Sequence, residues 1–364
     1  MRFIDVSDID DIALGSALLG AGGGGDPYMG RLEAIAAVKK HGPVKMFDAQ
    51  EVPDDWIVAP ICGVGAPTVA LEKGSNGSEY ARARELLEAL IGKKIDAFLL
   101  SEAGGLNSLV PVSAAARAGI PLVNADGMGR AFPGIEQDTF SLNGVPTSPM
   151  VFVDEKGNRT VTETIDNSWT ETIGRAVTTA CGGQVICLGS SMTGEKMKRS
   201  AVLGTVDLAQ RLGRIIRTAK DVRDEAPRDY FLRETGAYLF MTGKISDVLR
   251  ETRDGFNFGR AVLEGFGEDK GKTGFVEFQN ENLYAQIGDD VVMTVPDIIC
   301  LVDHDTFTPV PTDALKYGKR VMLIGLPCDD AWRTPAGVAL GGPEFFGLSV
   351  PYVPVEQTHE RFGR

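Results

Sequence analysis

The order of secondary-structure signals along the chain constrains its fold more than any other feature. In the first half, short apolar runs typical of buried strands alternate with helical patterns, which predicts an α/β domain with a partly parallel sheet. After about residue 230, short strands separated by Gly and Asp turns dominate, which predicts a mixed, strand-rich C-terminal domain. The predicted strands of the first half include 56–61, 96–100 and 121–124. Helices are predicted over 7–19, from the end of GAGGGGDP to about residue 40, over 79–91 and over 112–118.

Length and composition agree with two domains. The 364 residues correspond to two domains of ordinary size or to one large domain, and an apolar fraction of 43% is enough for a substantial core. We predict an N-terminal α/β domain over residues 1–165, which contains the glycine-rich and acidic motifs. Residues 166–364 are predicted to form the C-terminal domain.

The charge and hydropathy of the chain argue against several classes of partner. The net charge is −13 and Lys and Arg form no long cluster, so neither nucleic acid nor an anionic membrane surface is an expected partner. No stretch approaches the roughly 18 consecutive apolar residues of a membrane span. The N-terminal MRFIDVSDIDD is acidic and lacks a signal-peptide apolar region. We therefore expect a cytoplasmic protein with reduced cysteines.

Two acidic residues follow consecutive predicted strands of the first half. Glu102 comes after strand 96–100 and Asp126 after strand 121–124, and a short helix joins the two strands. In open α/β sheets ligands bind in the crevice outside such strand ends, so both carboxylates are candidate site residues. Arg130 is a candidate for binding a carboxylate or carbonyl through the paired N–H donors of its guanidinium. The alternative is that Asp126 caps a turn and Arg130 pairs with a surface acid.

The segment GAGGGGDP contains a run of glycines between two predicted helices. It fits the spacing GxGxxG, but it follows a helix rather than a strand, so it is a poor dinucleotide fingerprint. Backbone N–H groups of Gly23, Gly24 and Gly25, together with Asp26, are candidates for binding an anion or a polarised carbonyl. The alternative is a tight turn between helices.

A second polar motif, FQNE, lies within a strand-like run of the C-terminal half. In one continuous strand Gln279 and Glu281 would share a face and Asn280 would lie on the other. Three consecutive polar residues are costly to bury without partners, so either a binding role or solvent exposure would explain them.

The sequence offers little support for a metal centre. The three histidines lie in dissimilar contexts and match no zinc spacing. Asp303, His304 and Asp305 form a local cluster that could bind a metal, but a solvated turn is the favoured interpretation. A carboxylate-bound Mg²⁺ or Mn²⁺ stays open, so the cofactor is unknown. No GxSxG motif is present, and Cys62 is the best candidate for a thiol nucleophile.

Taken together, the motifs resemble those of the S-methyl-thiohydantoin desulfurase family over residues 8–355. This resemblance implies an N-terminal and a C-terminal domain. It also implies a hydantoin-like ring as substrate, because members often accompany hydantoin-utilisation enzymes. His304 departs from the family pattern, which weakens the case for a metal there. The motifs are, in order, LGAGGGGDP, EAGGLN, NADGMGRAFP, MTGKI, FQNE, PDII, YGKRV and GGPEFFG.

The implied reaction is hydrolysis of an S-alkyl thiohydantoin to hydantoin with release of a thiol. Asp126 or Glu102 is the expected base that activates water, and Glu281 is expected to assist. Charge that develops on the ring would be stabilised by polar groups around it. The predicted substrate-binding residues are Gly23, Gly24, Gly25, Asp26, Asn107, Arg130, Gln279 and Asn280.

Two alternatives belong to other functional classes. A hydrolase that opens the hydantoin or lactam C–N bond would expel a poorer leaving group and would usually need a metal or a nucleophile. A non-catalytic partner of a hydantoinase-type complex would need a large exposed apolar face. A homo-oligomer is the default expectation for an enzyme of this kind.

Overall fold

The computed structural model describes residues 1–66, 69, 72–253 and 255–363, and these residues form two β-sheets and the helices around them. The first sheet has the strand order β1-β2-β5-β4-β3-β8-β6-β7, and β10 and β9 pair with β5 and β3. Strands β2, β5, β4 and β3 are parallel, and the remaining pairs are antiparallel. The predicted partly parallel sheet is therefore confirmed. Its strands are β1 Arg2–Ile4, β2 Val44–Asp48, β3 Ile57–Gly65, β4 Ala97–Leu100, β5 Leu122–Asp126, β6 Met150–Val153, β7 Arg159–Thr162, β8 Gln184–Leu188, β9 Met192–Thr193 and β10 Val202–Leu203.

The second sheet is antiparallel and has the order β15-β14-β13-β12-β11-β17-β16. Four consecutive hairpins build it from β11 to β15, as expected for short strands joined by turns. The predicted strand-rich second part is therefore confirmed. Its strands are β11 Tyr238–Arg253, β12 Phe256–Gly265, β13 Thr273–Gln279, β14 Glu281–Ile287, β15 Asp290–Thr294, β16 Ile298–Asp303 and β17 Arg320–Leu326.

The helices pack on both sheets, and one of them links the two cores. Helix α1 places Ile9 and Ile12 in the core of the first sheet, and Leu18 and Leu19 in a core shared with the second sheet. The loop after α1 therefore lies at the junction of the sheets. The helices are α1 Val6–Leu19, α2 Pro27–His41, α3 Ser78–Ile91, α4 Val110–Ala118, α5 Thr139–Leu142, α6 Asn167–Ala180, α7 Gly194–Ser200, α8 Thr205–Ala219, α9 Pro227–Thr235, α10 Pro335–Gly341 and α11 Val355–Phe362.

Helix α8 crosses α1 at close range. A Cβ on Gly15 would lie 1.8 Å from the carbonyl oxygen of Ala209, and a Cβ on Gly213 would lie 1.7 Å from that of Asp11. Only glycine leaves room for this approach of two backbones. The crossing holds the end of α1, and the glycine-rich loop that follows it, in place.

The sheets and the predicted domain boundary divide the chain differently. Strands β8, β9 and β10 follow residue 165 in sequence, yet they pair with β3, β6 and β5 of the first sheet. The second sheet begins only at Tyr238. Residue 165 therefore does not separate the two sheets, although it lies on the connection between β7 and α6.

Candidate active site

A cleft opens at the carboxyl ends of β3 and β4, beneath the tip of the hairpin formed by β13 and β14. The space within it is about 820 Å³, including the open mouth. Both halves of the chain contribute to its walls. The residues predicted for the site that line it are Gly24, Gly25, Glu102, Asn107, Asn280 and Glu281.

The glycine-rich loop contacts the hairpin tip at the cleft. The N–H of Gly24 donates a hydrogen bond of 3.1 Å to Oε1 of Glu281. A Cβ on Gly23 would lie 1.9 Å from the same oxygen, so any larger residue there would displace the carboxylate. Asp26 caps α2 by accepting a hydrogen bond from the N–H of Tyr28, and it does not line the cleft. The loop is thus a turn between helices and also a binding surface for a carboxylate of this chain.

The FQNE motif is a hairpin tip, and the expectation of one continuous strand is wrong. Strand β13 ends at Gln279 and β14 begins at Glu281, while Asn280 between them has φ of 57°. Asparagine tolerates this left-handed conformation better than most residues. The backbone N–H and side-chain oxygen of Asn280 both bond to the backbone of Asn257, at 2.8 and 2.9 Å. The turn directs Glu281 into the cleft, whereas Gln279 lies outside its lining.

Glu102 is held in the cleft by a network that reaches β3. Its Oε1 accepts a hydrogen bond of 2.7 Å from the side-chain amide of Asn107, and its Oε2 accepts one of 3.3 Å from the N–H of Phe132. Asn107 also bonds to the N–H and the carbonyl of Gly63, at 2.8 and 3.0 Å. Asn107 therefore uses its polar atoms to position Glu102 against the end of β3.

Glu102 and Glu281 form a buried pair of carboxyl groups. Burial raises the pKa of Glu102 well above its ordinary value, and the charge of Glu281 raises it further. Burial also raises the pKa of Glu281 to about 7, while the nearby charge of Arg130 and the Gly24 N–H act in the opposite direction. Two like charges in a buried site disfavour double ionisation. Near neutral pH the pair therefore keeps one proton, with Glu281 the group that ionises first.

Asp126 and Arg130 lie beside the cleft but do not line it. Asp126 is fully buried, and its Oδ2 accepts hydrogen bonds from the N–H groups of Met128 and Gly129 at 3.1 and 2.8 Å. This is the turn-capping arrangement that the sequence left open as an alternative. The expectation that Asp126 faces the crevice is not met, although β4 and β5 are neighbours as supposed.

Arg130 is also fully buried, so it does not pair with a surface acid. Its guanidinium donates hydrogen bonds to the carbonyl oxygens of Ala131, Pro296 and Asp297 and lies 4.3 Å from the ring centre of Phe132. It thereby links the loop after β5 to the segment before β16. Its positive charge helps to stabilise the Glu281 carboxylate.

Asp126→Asn is expected to leave kcat/KM within about threefold of the original value, because the side chain caps a turn. Burial raises the pKa of Asp126 to about 7, so the folded state holds its proton more tightly than the unfolded chain. The stability from this group is complete below about pH 4 and is lost as pH rises through about 7. Chemical unfolding from pH 4 to 8 should therefore show a weaker pH dependence in the variant. A loss of activity of about 10²-fold or more would instead support Asp126 as the base.

The acidic cluster around His304 is stabilised by ion pairs. Lys319 lies 3.1 Å from Asp303, Arg320 lies 2.5 Å from Asp305, and the ring of His304 is 2.9 Å from Asp305. Over the part of the chain that the structure describes, no group of three or more His, Cys, Asp or Glu side chains is arranged to hold a metal ion. The cluster therefore has the contacts of a solvated turn.

The cleft also contains side chains that no motif singled out. Ser101 precedes Glu102, Asp138 caps α5, Arg175 lies on α6 and Cys187 lies on β8 opposite Cys62. Cys62 and Cys187 are 125 positions apart, so local spacing could not reveal their pairing. For these two residues, the only signal in the sequence is a thiol within an otherwise apolar strand.

The fold and cleft together define a two-domain protein with a carboxyl-lined site at the junction of a mixed sheet and an antiparallel sheet. The chain belongs to the S-Me-THD-like family: its N-terminal domain matches residues 7–164 and its C-terminal domain matches residues 165–355. This confirms the resemblance drawn from the motifs. A comparison with curated proteins finds no match.

A solved structure supports the fold over nearly the whole chain. It is the crystal structure of a protein from Chromobacterium violaceum, with 24% sequence identity and a TM-score of 0.80. The alignment covers 98% of this chain and 100% of that one. Within the described ranges, no helix has both the length and the apolar character required to cross a bilayer.

Proposed function

We propose that the protein is a hydrolase that converts an S-alkyl thiohydantoin to the hydantoin and releases the thiol. The buried carboxyl pair Glu102 and Glu281 is the observation on which this proposal depends. Displacement of a thiol by water needs a group that removes a proton and a group that supplies one. A pair that shares one proton near neutral pH provides both.

In this proposal Glu281 is the base and Glu102 is the acid. Glu281 ionises first, and Arg130 and the Gly24 N–H stabilise its carboxylate. Glu102 keeps its proton because burial and the charge of Glu281 raise its pKa. Glu281 would take a proton from water as the oxygen bonds to the ring carbon. Glu102 would give its proton to the ring nitrogen or to the departing sulfur.

Neighbouring groups support this division of roles. Asn107 orients Glu102 through its hydrogen bond of 2.7 Å. Asn280 and Gly25 line the cleft and are available to contact the ring. Asp26 and Gln279 lie outside the lining, and Arg130 acts through its charge on Glu281. The substrate-binding set is therefore narrower than the motifs alone indicated.

The pH dependence of kcat/KM is expected to be bell-shaped. Activity should rise as pH increases through about 7, where Glu281 loses its proton. It should fall again at higher pH, where Glu102 ionises and can no longer donate. The two limbs of this profile report apparent pKa values of the coupled pair, not of two independent groups. Initial rates from pH 5 to 10 would test this, and a profile that is flat through neutral pH would contradict it.

The direct test is methanethiol release from an S-methyl thiohydantoin by the purified protein, with and without a chelator. Release that survives chelation supports hydrolysis by the carboxyl pair. Loss of release on chelation would assign the activation of water to a divalent metal. Formation of a ring-opened product without thiol would favour a C–N hydrolase. No product from folded protein would favour a partner role in a hydantoinase-type complex.

A further inference from the structure

Two cysteine thiols face each other at the base of the cleft. Cys62 on β3 and Cys187 on β8 are direct partners in the antiparallel register, and their sulfur atoms are 3.2 Å apart. Both are reduced, both are buried and both line the cleft. A disulfide would require about 2.05 Å, so the contact is a hydrogen bond between thiols.

The surroundings of the two thiols shift their pKa values in opposite directions. The hydrogen bond with Cys187 lowers the pKa of Cys62 against the effect of burial, and the hydroxyl of Ser101 acts in the same direction. The same hydrogen bond and burial raise the pKa of Cys187 well above its ordinary value. Either thiol can donate in this contact, and the hydroxyl of Ser101 supplies Cys62 with a further hydrogen bond. The thiolate is the reactive form of a cysteine, so Cys62 is the more nucleophilic of the two.

A second feature of the same cleft indicates a polar ligand. Glu281 is 3% exposed, and its Oε2 has no hydrogen-bond partner among the described residues. A buried carboxylate oxygen without a partner is unfavourable unless a ligand or water completes its hydrogen bonding. The cleft thus combines a thiol nucleophile with a carboxylate that can accept a proton from a bound molecule.

From this arrangement we infer that Cys62 is the nucleophile of the hydrolysis and that Cys187 is a positioning residue that stabilises its thiolate. The inference rests on the proposed function and adds a covalent intermediate to it. Direct attack by water on the substrate is then replaced by attack of Sγ, and water enters in the second half of the reaction.

The two half-reactions balance without an oxidant or a reductant. In the first, Sγ of Cys62 bonds to the ring carbon, the bond from that carbon to the methylthio group breaks, and methanethiolate leaves with a proton from Glu102. The ring is then held on Cys62 as a thioimidate. In the second, water attacks the same carbon, the carboxyl pair takes one proton and the other stays on the product. The bond to Sγ breaks, which restores the thiolate and yields the hydantoin.

The first experiment compares single cysteine variants in the methanethiol assay, with a phosphine as reductant. Cys62→Ala and Cys62→Ser are expected to lower kcat by about 10³- to 10⁶-fold, as removal of a nucleophile does. Cys181→Ala is the matched control, because Cys181 is a free cysteine outside the cleft lining. It should retain the original rate.

The second experiment looks for the intermediate. Acid quenching during the first turnover, followed by intact-protein mass spectrometry, should show an adduct equal to the substrate minus methanethiol. Peptide mapping should assign it to Cys62. The adduct should accumulate further in Glu281→Gln, where the attack of water is slowed. This measurement stays decisive if a Cys62 variant fails to fold.

A third readout tests Cys187 separately. Cys187→Ala is expected to move the pH dependence of Cys62 alkylation by iodoacetamide to higher pH, because the thiolate loses its hydrogen-bond donor. A purely structural role would change stability without moving this profile.

The outcomes separate this inference from the proposed function. Methanethiol release at the original rate by Cys62→Ala, or the absence of an adduct in both the original protein and Glu281→Gln, would overturn the covalent route and leave hydrolysis by direct attack of water. Folded original protein that releases no methanethiol would overturn both. A Cys62 adduct, with loss of release in the Cys62 variants, is the supporting result.

Discussion

Glu281→Gln is expected to lower kcat for steady-state methanethiol release by about 10²- to 10⁴-fold, the usual contribution of a general base. Glutamine can still accept the hydrogen bond that Gly24 donates at 3.1 Å, so the hairpin tip should stay in place. It cannot accept a proton from water. The limb of the pH profile near 7, assigned to Glu281, should therefore disappear. Steady-state kinetics and a thermal unfolding curve would measure both effects.

Glu277→Gln is the matched control for this variant. Glu277 lies on β13 of the same hairpin, is partly exposed and is not part of the cleft lining. Its replacement removes one negative charge without touching the carboxyl pair, so kcat/KM should be unchanged. Equal losses in both variants would point to a general effect of charge or folding. Full activity in Glu281→Gln would exclude Glu281 as the base.

Gly23→Ala is expected to lower kcat by about 10²-fold or more, since a displacement of about 1 Å at a reacting group can cost that much. The new Cβ would lie 1.9 Å from Oε1 and 2.5 Å from Cδ of Glu281, so the carboxylate has to move. It would then lose the Gly24 N–H, and its pKa should rise because that bond favours the charged form. The acidic limb of the pH profile should shift to higher pH.

Gly42→Ala separates this effect from a loss of stability. Gly42 ends α2 with φ of 97°, and a Cβ there would meet nothing within 4 Å. This backbone conformation is almost restricted to glycine, so the variant should be destabilised by about 1–3 kcal/mol without an effect on the cleft. It should unfold at lower temperature while its pH profile is unchanged. A Gly23→Ala variant with the original profile would show that the loop does not position Glu281.

Part of the site was predictable because it depends on local patterns. Glu102 follows a short apolar strand that leads into a parallel sheet, and ligands collect at such strand ends. The glycine run between two helices likewise indicated a close approach of backbone to another group. Both segments line the cleft.

Other expectations failed where orientation depends on packing. Asp126 also follows a predicted strand, but its carboxylate turns back to cap residues 128 and 129. The strand pattern gives the position of the backbone and not the direction of the side chain. The FQNE motif has the side-chain pattern of one strand, whereas the left-handed Asn280 divides it into two. A single asparagine at a turn is too weak a local signal to predict that break.

The sequence by itself determined the two-part architecture, the family and the segments that carry reactive side chains, because periodicity and short motifs depend only on near neighbours. The tertiary structure alone decided which of those side chains meet. Glu281 lines the same cleft as Glu102, 179 positions earlier, because a hairpin tip of the second sheet contacts the loop after α1. Cys62 meets Cys187 because β3 and β8 pair in one particular register. Such contacts depend on the packing of whole sheets, which no local sequence pattern specifies.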